Sequence, residues 1–139
     1  MRLIIVVLAI MTVGLSAADG KLLNAIEKVE SNGNPRAVSP KGARGAYQFM
    51  RPTWEWVWKD ILKDPRDFEQ AWNRDLSRKA AAAYLDWIEK YLKKHGLATE
   101  ENIIAAYNAG VGSVRKARGI PNFKETKDYV RKVKLKKGI

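Results

Sequence analysis

Apolar residues recur along most of the chain with the spacing of α-helices. The first clear case is a stripe at the i, i+3, i+4 and i+7 positions, formed by Leu22, Leu23, Ile26 and Val29. Asp19 precedes this stripe, and aspartate commonly accepts a hydrogen bond from the free amides of a helix's first turn. The pattern therefore predicts a helix from Asp19 to about Glu30, with Glu30 at its carboxyl end.

The same reasoning predicts further helices separated by loops. Their expected bounds are about 52–64, 68–94, 100–107, 111–118 and 124–136. Between the first two helices, the segment 31–45 contains three glycines and two prolines, which disfavour a long regular element. The sequence therefore predicts a mainly α fold, with an irregular loop or small β element after the first helix.

Residues 1–18 differ from the rest of the chain. Arg2 is followed by an apolar run that is shorter than the roughly 20 residues needed to cross a bilayer. Small residues at Ser16 and Ala18 suit peptidase cleavage after Ala18. We expect a signal peptide at 1–18, or an uncleaved signal anchor, and export to the periplasm, the cell envelope or the exterior. Residues 19–139 are expected to form one catalytic domain.

Composition narrows the chemistry that this domain can perform. The 139 residues include no cysteine and one histidine, His95, which excludes thiolate metal sites, cysteine nucleophiles and two-histidine metal motifs. We therefore expect no metal and no cofactor, and carboxylate chemistry remains. The formal net charge of +11 favours a polyanionic partner, such as a wall polymer, an anionic membrane surface or nucleic acid.

Glu30 is the candidate catalytic carboxylate. No other acid occurs between Glu30 and Met50, whereas Arg36, Lys41 and Arg44 supply three positive charges. Burial at the end of an apolar helix face would raise the pKa of Glu30, and nearby cations would lower it. The sequence leaves open which effect is larger.

A single carboxylate restricts the possible glycosidase mechanisms. Ordinary retaining and inverting enzymes use two carboxylates about 5 to 9.5 Å apart. One acid suffices when the 2-acetamido group of an amino sugar stabilises the oxocarbenium-like centre. The alternative for an isolated glutamate is that Glu30 only ends a surface helix, so the residues around it decide between the two.

Three sequence segments, which together carry four motifs, give that context. The segment 30–50 reads ESNGNPRAVSPKGARGAYQFM, 106–110 reads AYNAG, and 125–130 reads ETKDYV. The first of these closely resembles the first two motifs of the soluble lytic transglycosylase family, and the others resemble the family's alanine–tyrosine–asparagine signature and its closing segment. Ala46-Tyr47 departs from the family's commonest leucine–methionine pair and resembles phage-associated and secretion-associated members.

This resemblance implies a goose-lysozyme-like helical fold and cleavage of the bond between N-acetylmuramic acid and N-acetylglucosamine in peptidoglycan, leaving 1,6-anhydro ends. Glu30 would act first as acid and then as base. The resemblance gives Ser39 the task of orienting Glu30 or the acetamido group, and Tyr107 a contact with Glu30 and the sugar. The full set of expected substrate contacts is Ser39, Gln48, Met50, Tyr107, Asn108, Glu125 and Tyr129.

Two alternatives to a lytic transglycosylase remain at this stage. A goose-type muramidase would use water as the acceptor on the same fold, and a wall-binding or virion component would lack catalysis. The basic tail, 131–137, is expected to be a solvated, fraying end, or else a contact with an anionic wall polymer or membrane surface. Nucleic acid is not expected as a partner, because it would explain neither the motifs nor the export signal. The protein is expected to be a monomer.

Overall fold

Residues 19–138 are the part of the chain that the computed structural model describes, and the expected signal segment 1–18 lies outside it. Helices account for most of this part, as the sequence predicts. They are α1 (Gly20–Ser31), α2 (Arg51–Trp56), α3 (Arg74–Lys94), α4 (Glu100–Ala109), α5 (Val111–Ala117) and α6 (Lys124–Lys137). No helix within residues 19–138 is long and apolar enough to cross a membrane.

Helix α1 begins and ends as its sequence predicts. The Asp19 carboxylate accepts a hydrogen bond of 2.8 Å from the backbone amide of Lys21, which caps the first turn. At the other end Asn32 adopts a left-handed conformation with φ of 53°, and its amide donates to the Lys28 carbonyl. Glu30 therefore lies in the last turn of α1, where the chain leaves the helix for the loop.

The middle of the chain differs from the expectation of one helix from Phe68 to Lys94. Phe68–Trp72 forms a 3₁₀-helix instead, and α3 starts only after Asn73. Asn73 has an extended backbone, and its side chain accepts a hydrogen bond of 3.0 Å from the Leu76 amide. Asparagine caps a helix better than it continues one, which explains the break. The tryptophan-rich segment also changes geometry, because α2 continues as a π-helical turn over Val57–Ile61.

The last three helices follow their predicted bounds closely. Thr99 caps α4 by accepting a hydrogen bond of 3.2 Å from the Asn102 amide. Tail residues expected to fray instead belong to the ordered helix α6, because Lys134 and Lys137 form ion pairs of 2.7 and 2.9 Å with acidic residues in the first turn of α4. Helix α6 packs against both α1 and α4.

Two tryptophans are the largest fully buried side chains of the core. Trp54 and Trp58 are fully buried, and their rings meet at 5.6 Å between centroids. Alanines at positions 80 and 81 of α3 are also fully buried, which allows neighbouring elements to pack closely against that helix. This core holds the carboxyl end of α1 beside the end of α4 and the start of α6.

Candidate active site

A cleft of about 510 Å³ opens where these helix ends meet the loop after α1. It has two walls, which we call the loop wall (residues 31–50) and the helix wall (residues 107–110 and 123–129). Seven of the eight residues expected from the sequence to act on substrate line this cleft, namely Glu30, Ser39, Gln48, Met50, Tyr107, Asn108 and Glu125. The eighth, Tyr129, is only 7% exposed and lies beneath the cleft surface.

Close backbone packing holds the loop wall in place. Gly45 has a φ of 85°, and a Cβ atom at this position would lie 2.2 Å from the carbonyl oxygen of Ala71. The hydroxyl of Ser77 donates a hydrogen bond of 2.7 Å to the same oxygen. Position 45 therefore needs glycine for its conformation and for the space it leaves.

Polar side chains of the loop wall bond mainly to backbone groups. Gln48, itself left-handed with φ of 51°, donates from Nε2 to the carbonyls of Ala37 and Gly45 at 3.1 and 3.0 Å. Ser31, for which no role was expected, donates a hydrogen bond of 2.8 Å to the Ala46 carbonyl and so joins α1 to the loop. These bonds position the wall before any ligand enters.

Ser39 has a different partner from the one expected. Its Oγ accepts a hydrogen bond of 2.9 Å from the backbone amide of Ala43, and in the described part of the chain it makes no hydrogen bond with Glu30. The hydroxyl still lines the cleft. The expectation that it orients Glu30 or the acetamido group of the sugar stays a prediction.

Among the cations near Glu30 in the sequence, Lys41 lines the cleft, whereas Arg44 is engaged elsewhere. Its guanidinium lies over the rings of Phe68 and Trp72, at 4.2 and 4.7 Å from their centroids, and bonds to Glu69 at 3.1 Å. Neither cation is among the causes that shift the pKa of Glu30, so burial is the larger effect. Burial raises the pKa of Glu30 from its ordinary 4.5 to about 7, and the charge of Glu125 adds to the rise.

Two tyrosines of the helix wall surround the Glu30 carboxyl. Tyr129 faces it closely enough to lower its pKa, although the Tyr129 hydroxyl makes no hydrogen bond of standard geometry within residues 19–138. Tyr107 instead donates a hydrogen bond of 2.9 Å to the Tyr47 carbonyl on the loop wall. Burial raises the pKa of both hydroxyls well above the ordinary value, so both remain protonated donors.

The helix wall is joined across its two helices by Asn108. Its Oδ1 accepts a hydrogen bond of 2.9 Å from the hydroxyl of Thr126 in the first turn of α6. Gly110 follows with φ of 86° and ψ of 153°, a region that only glycine populates freely, and this lets the chain turn directly from α4 into α5. The bend places Tyr107 and Asn108 at the cleft.

Sequence reasoning missed an ion pair behind the site. Glu27 is 7% exposed, and Arg74 holds it with two hydrogen bonds, from Nε at 2.7 Å and from Nη2 at 2.6 Å. Glu27 lies one turn before Glu30, so the pair ties the carboxyl end of α1 to the start of α3. No spacing rule links residues 47 positions apart, and only the fold brings them together.

Comparison with known proteins gives consistent results. The chain matches the family described as "Transglycosylase SLT domain" over residues 14–130. It is 35% identical over 103 residues to membrane-bound lytic murein transglycosylase F of Haemophilus influenzae (strain PittGG), and 36% identical to that of Pasteurella multocida (strain Pm70). Each alignment covers 72% of this chain and 19% of the relative, so the chain spans about a fifth of the length of these relatives.

Solved structures give the same result for the fold. The soluble lytic transglycosylase SLT70 of Escherichia coli superposes with a TM-score of 0.73 at 27% identity, over 84% of this chain and 21% of that one. An inactive mutant of the lytic transglycosylase Slt of Pseudomonas aeruginosa also gives 0.73, at 25% identity, over 84% and 20%. The expected lysozyme-like helical fold is confirmed.

Proposed function

The chain belongs to the family of transglycosylases with an SLT domain, and from this premise we propose that it is a peptidoglycan lytic transglycosylase with Glu30 as its acid and base. The substrate is the glycan strand, cut between N-acetylmuramic acid and N-acetylglucosamine. The observation that carries the proposal is a carboxyl group in a cleft with a pKa of about 7. Such a group is still partly protonated at neutral pH, as a general acid requires.

In the first step, protonated Glu30 donates its proton to the glycosidic oxygen. The bond between that oxygen and the anomeric carbon breaks, and the N-acetylglucosamine side leaves as an alcohol. The positive charge on the anomeric carbon is stabilised by the sugar's own 2-acetamido oxygen, as in substrate-assisted glycosidases. Glu30 is left as a carboxylate.

In the second step, the Glu30 carboxylate removes the proton of the muramoyl 6-hydroxyl. The oxygen of that hydroxyl then forms a bond to the anomeric carbon of the same sugar, giving the 1,6-anhydro end. The proton returns Glu30 to its starting state, so no water is consumed. A single acid with a pKa near the working pH suits both halves of this cycle.

The remaining cleft residues are given supporting roles. The hydroxyl of Ser39, the amide oxygen of Gln48 and the side-chain amide of Asn108 line the cleft and bind the sugar's polar groups. Met50, which is 41% exposed, offers an apolar surface to a sugar face. Tyr107 contacts the reacting sugar from the helix wall, and Tyr129 acts on the Glu30 carboxyl from beneath the cleft surface.

A goose-type muramidase is the second candidate, and Glu125 favours it. Its carboxylate lines the cleft and lies close enough to Glu30 to raise its pKa. A second carboxylate is what hydrolysis needs in order to activate a water molecule. The segment 30–50 contains no acid other than Glu30. The second carboxylate is brought to the cleft by α6.

We further propose that the protein acts in the cell envelope. The expected export signal at 1–18 supports this placement, and the names of the relatives describe them as membrane-bound. Exposed cations at the end of the chain, such as Lys132 and Lys136, are available to an anionic wall polymer or membrane surface.

Product analysis tests the proposal. Residues 19–139 are incubated with purified peptidoglycan, and the released muropeptides are identified by mass spectrometry. Anhydro ends support a lytic transglycosylase, reducing muramic acid ends support the muramidase, and binding without release supports a non-catalytic protein.

Glu30→Gln separates the role of Glu30 from that of the fold. The amide cannot transfer a proton, so release should fall by about 10²- to 10⁴-fold while the circular dichroism spectrum is retained. Asp60→Asn is the matched control, because Asp60 is an exposed acid outside the cleft. Undiminished release by Glu30→Gln would remove the basis of the mechanism.

A further inference from the structure

The end of the domain opposite the cleft is rich in exposed cations. Helices α3 and α6 both finish there, beside the first turn of α4. The Asn102 side chain donates a hydrogen bond of 3.0 Å to the Leu97 carbonyl just after α3, and Lys137 of α6 pairs with Glu100 at 2.9 Å. The cleft lies at the other end of α4, where Asn108 lines it. The two ends of α4 and α6 therefore have different surroundings.

We call this end the distal surface and define it by five exposed residues, Lys93, Lys94, Lys132, Leu135 and Lys136. In α6 the last three are spaced at i, i+3 and i+4, so they share one side of the helix. Leu135 is 63% exposed although it belongs to an ordered helix. An apolar side chain thus lies among cations on the outside of the protein.

The acids beside α6 at this end are already paired. Glu100 and Glu101, in the first turn of α4, bond to Lys137 and Lys134 at 2.9 and 2.7 Å. These pairs hold the end of α6 against α4, whereas the lysines of the distal surface extend to solvent. The distal surface is therefore a positively charged surface on packed helices rather than a frayed tail.

The chain also enters the domain toward this end. Helix α1 is antiparallel to α6, because Glu30 in its last turn faces Tyr129 and Glu125 in the first half of α6, and the two helices pack extensively against each other. The start of α1 at Gly20 is therefore directed toward the end of α6. The apolar segment 1–18 comes just before Gly20 in the sequence. A membrane that held this segment would lie on the same side as the distal surface.

We propose that the distal surface docks on an anionic lipid membrane. This inference rests on the proposed placement of the enzyme in the cell envelope, and it names the partner of the exposed cations at the end of the chain. Lysines are attracted by the negative surface potential of such a bilayer, and their long stems let a neighbouring apolar side chain reach the interface. Leu135 favours a membrane over a wall polymer, because a polymer offers charge but no apolar layer that could bury a leucine.

Docking at the distal surface leaves the cleft open. Thr126 lines the cleft, and at 1.5 Å of rise per residue Leu135 lies about 14 Å further along α6. The membrane and the glycan strand would therefore bind at opposite ends of the same helix.

Binding to lipid vesicles tests the docking. Residues 19–139, the chain expected after signal cleavage, are mixed with vesicles of phosphatidylcholine alone or of an equal mixture with phosphatidylglycerol, and the bound fraction is measured by sedimentation. We expect binding to the mixed vesicles only. Lys132→Gln combined with Lys136→Gln should weaken it about 30-fold, because each lysine contributes about 1 kcal/mol near an anionic bilayer. Leu135→Ala should weaken it about fivefold without any change in charge.

Lys28→Gln combined with Arg36→Gln is the matched control, because it removes two exposed cations from the cleft end of the domain. It should bind the mixed vesicles about as well as the wild type. Equal losses in the two double variants would show that net charge alone attracts the protein. A wild type that does not bind, or a Leu135→Ala variant that binds undiminished, would likewise overturn membrane docking.

Muropeptide release from purified peptidoglycan keeps this test separate from that of the proposed function. The distal variants lie outside the cleft, so they should release muropeptides at the wild-type rate even if vesicle binding is lost. If the wild type released none, the proposed function would fail whatever the vesicles showed.

Single cysteines test the orientation, since the chain has none of its own. An environment-sensitive fluorophore on Ala98→Cys, an exposed position between α3 and α4, should shift its emission to shorter wavelength when mixed vesicles are added. The same label on Val38→Cys, at a position 62% exposed on the loop wall, should not change. A shift at Val38→Cys, or none at Ala98→Cys, would show that the membrane contacts a different face.

Discussion

In the loop wall of the cleft, position is fixed by the backbone, whereas in the helix wall it is fixed by packed helices. Gly45 lies against the Ala71 carbonyl, and the side-chain amide of Gln48 donates hydrogen bonds to two loop carbonyls. The helix wall instead brings Tyr107, Tyr129 and Glu125 to the carboxyl of Glu30 on preformed helices. The loop wall therefore supplies shape, and the helix wall supplies the electrostatic environment.

Gly45→Ala should cause the largest loss of stability, because at this position the backbone of the loop wall lies closest to a neighbouring backbone. The added Cβ would meet the Ala71 carbonyl at 2.2 Å, and φ of 85° is already strained for alanine. We expect a loss of about 4 kcal/mol in the free energy of unfolding, which combines backbone strain with overpacking. Denaturant unfolding measures it.

Gly42→Ala is the control for that experiment. Gly42 has a φ of 89° in the same loop, but no atom lies within 4 Å of its added Cβ. It should therefore lose only the part due to backbone strain, about 1 to 2 kcal/mol. Similar losses in the two variants would mean that the close contact with Ala71 contributes nothing.

Glu30→Gln should show how much stability the folded protein loses when Glu30, the acid between the two walls, ionises. The pKa of Glu30 is about 7 in the folded protein and near 4.5 when unfolded, so the folded state holds a proton that the unfolded state releases between these values. The wild type therefore loses stability as pH rises from 4.5 to 7, by at most about 3 kcal/mol. Glutamine does not titrate, so the variant does not lose this stability as the pH rises.

The measurement is chemical denaturation of both proteins at pH 4, 6 and 8. The stability advantage of Glu30→Gln should be absent at pH 4, grow through pH 6 and level off above pH 7. An advantage that is the same at all three pH values would mean that burial does not raise the pKa of Glu30.

Tyr129→Phe should shift the activity profile without harming the fold. The Tyr129 hydroxyl lowers the pKa of Glu30, so its removal should move the loss of activity at high pH upward, by less than about one unit. Stability should stay the same or rise, because this hydroxyl is buried without a standard hydrogen bond. The pH dependence of muropeptide release and thermal unfolding give the two readouts.

Tyr107→Phe is the matched comparison on the same wall. Its hydroxyl supports the Tyr47 carbonyl, so we expect a loss of about 1 to 2 kcal/mol in stability, with little change in the pH profile. If the two variants changed stability and the pH profile to the same extent, it would be wrong to assign the Tyr107 hydroxyl to stability and the Tyr129 hydroxyl to the pKa of Glu30.

The two walls also differ in how far the sequence predicts them. The loop wall follows from local signals, since its glycines, prolines and motif spacing lie within one continuous segment, 30–50. The caps of α1 and α4 were equally local. The break at Asn73 was missed because the apolar pattern continues across it, although asparagine is itself a capping signal.

Other features are not readable from the sequence because they depend on tertiary contacts. The pairing of Glu27 with Arg74 and the contact of Arg44 with Phe68 join distant segments. The burial that raises the pKa of Glu30 likewise depends on how the helices around it pack together. Family resemblance named Tyr129 as a substrate contact, but its burial beneath the cleft depends on how α6 packs on α1.

Glu125→Gln should give the smallest change in activity of these variants, because Glu125 has only a weak effect on the pKa of Glu30. The charge of Glu125 is the lesser of the two causes that raise the pKa of Glu30, after burial. Glu125 is also exposed, so solvent weakens the interaction. Neutralising it should move the high-pH loss of activity downward by a few tenths of a unit, and added salt should reproduce that shift in the wild type.

The same variant separates the two reactions proposed for the cleft. A lytic transglycosylase should still form anhydro ends with Glu125→Gln, because Glu30 alone carries both proton transfers. A muramidase that used Glu125 to activate water should lose about 10²-fold or more in release. Such a loss, appearing together with reducing ends in the wild type, would assign catalysis to Glu30 together with Glu125 of the helix wall rather than to Glu30 alone.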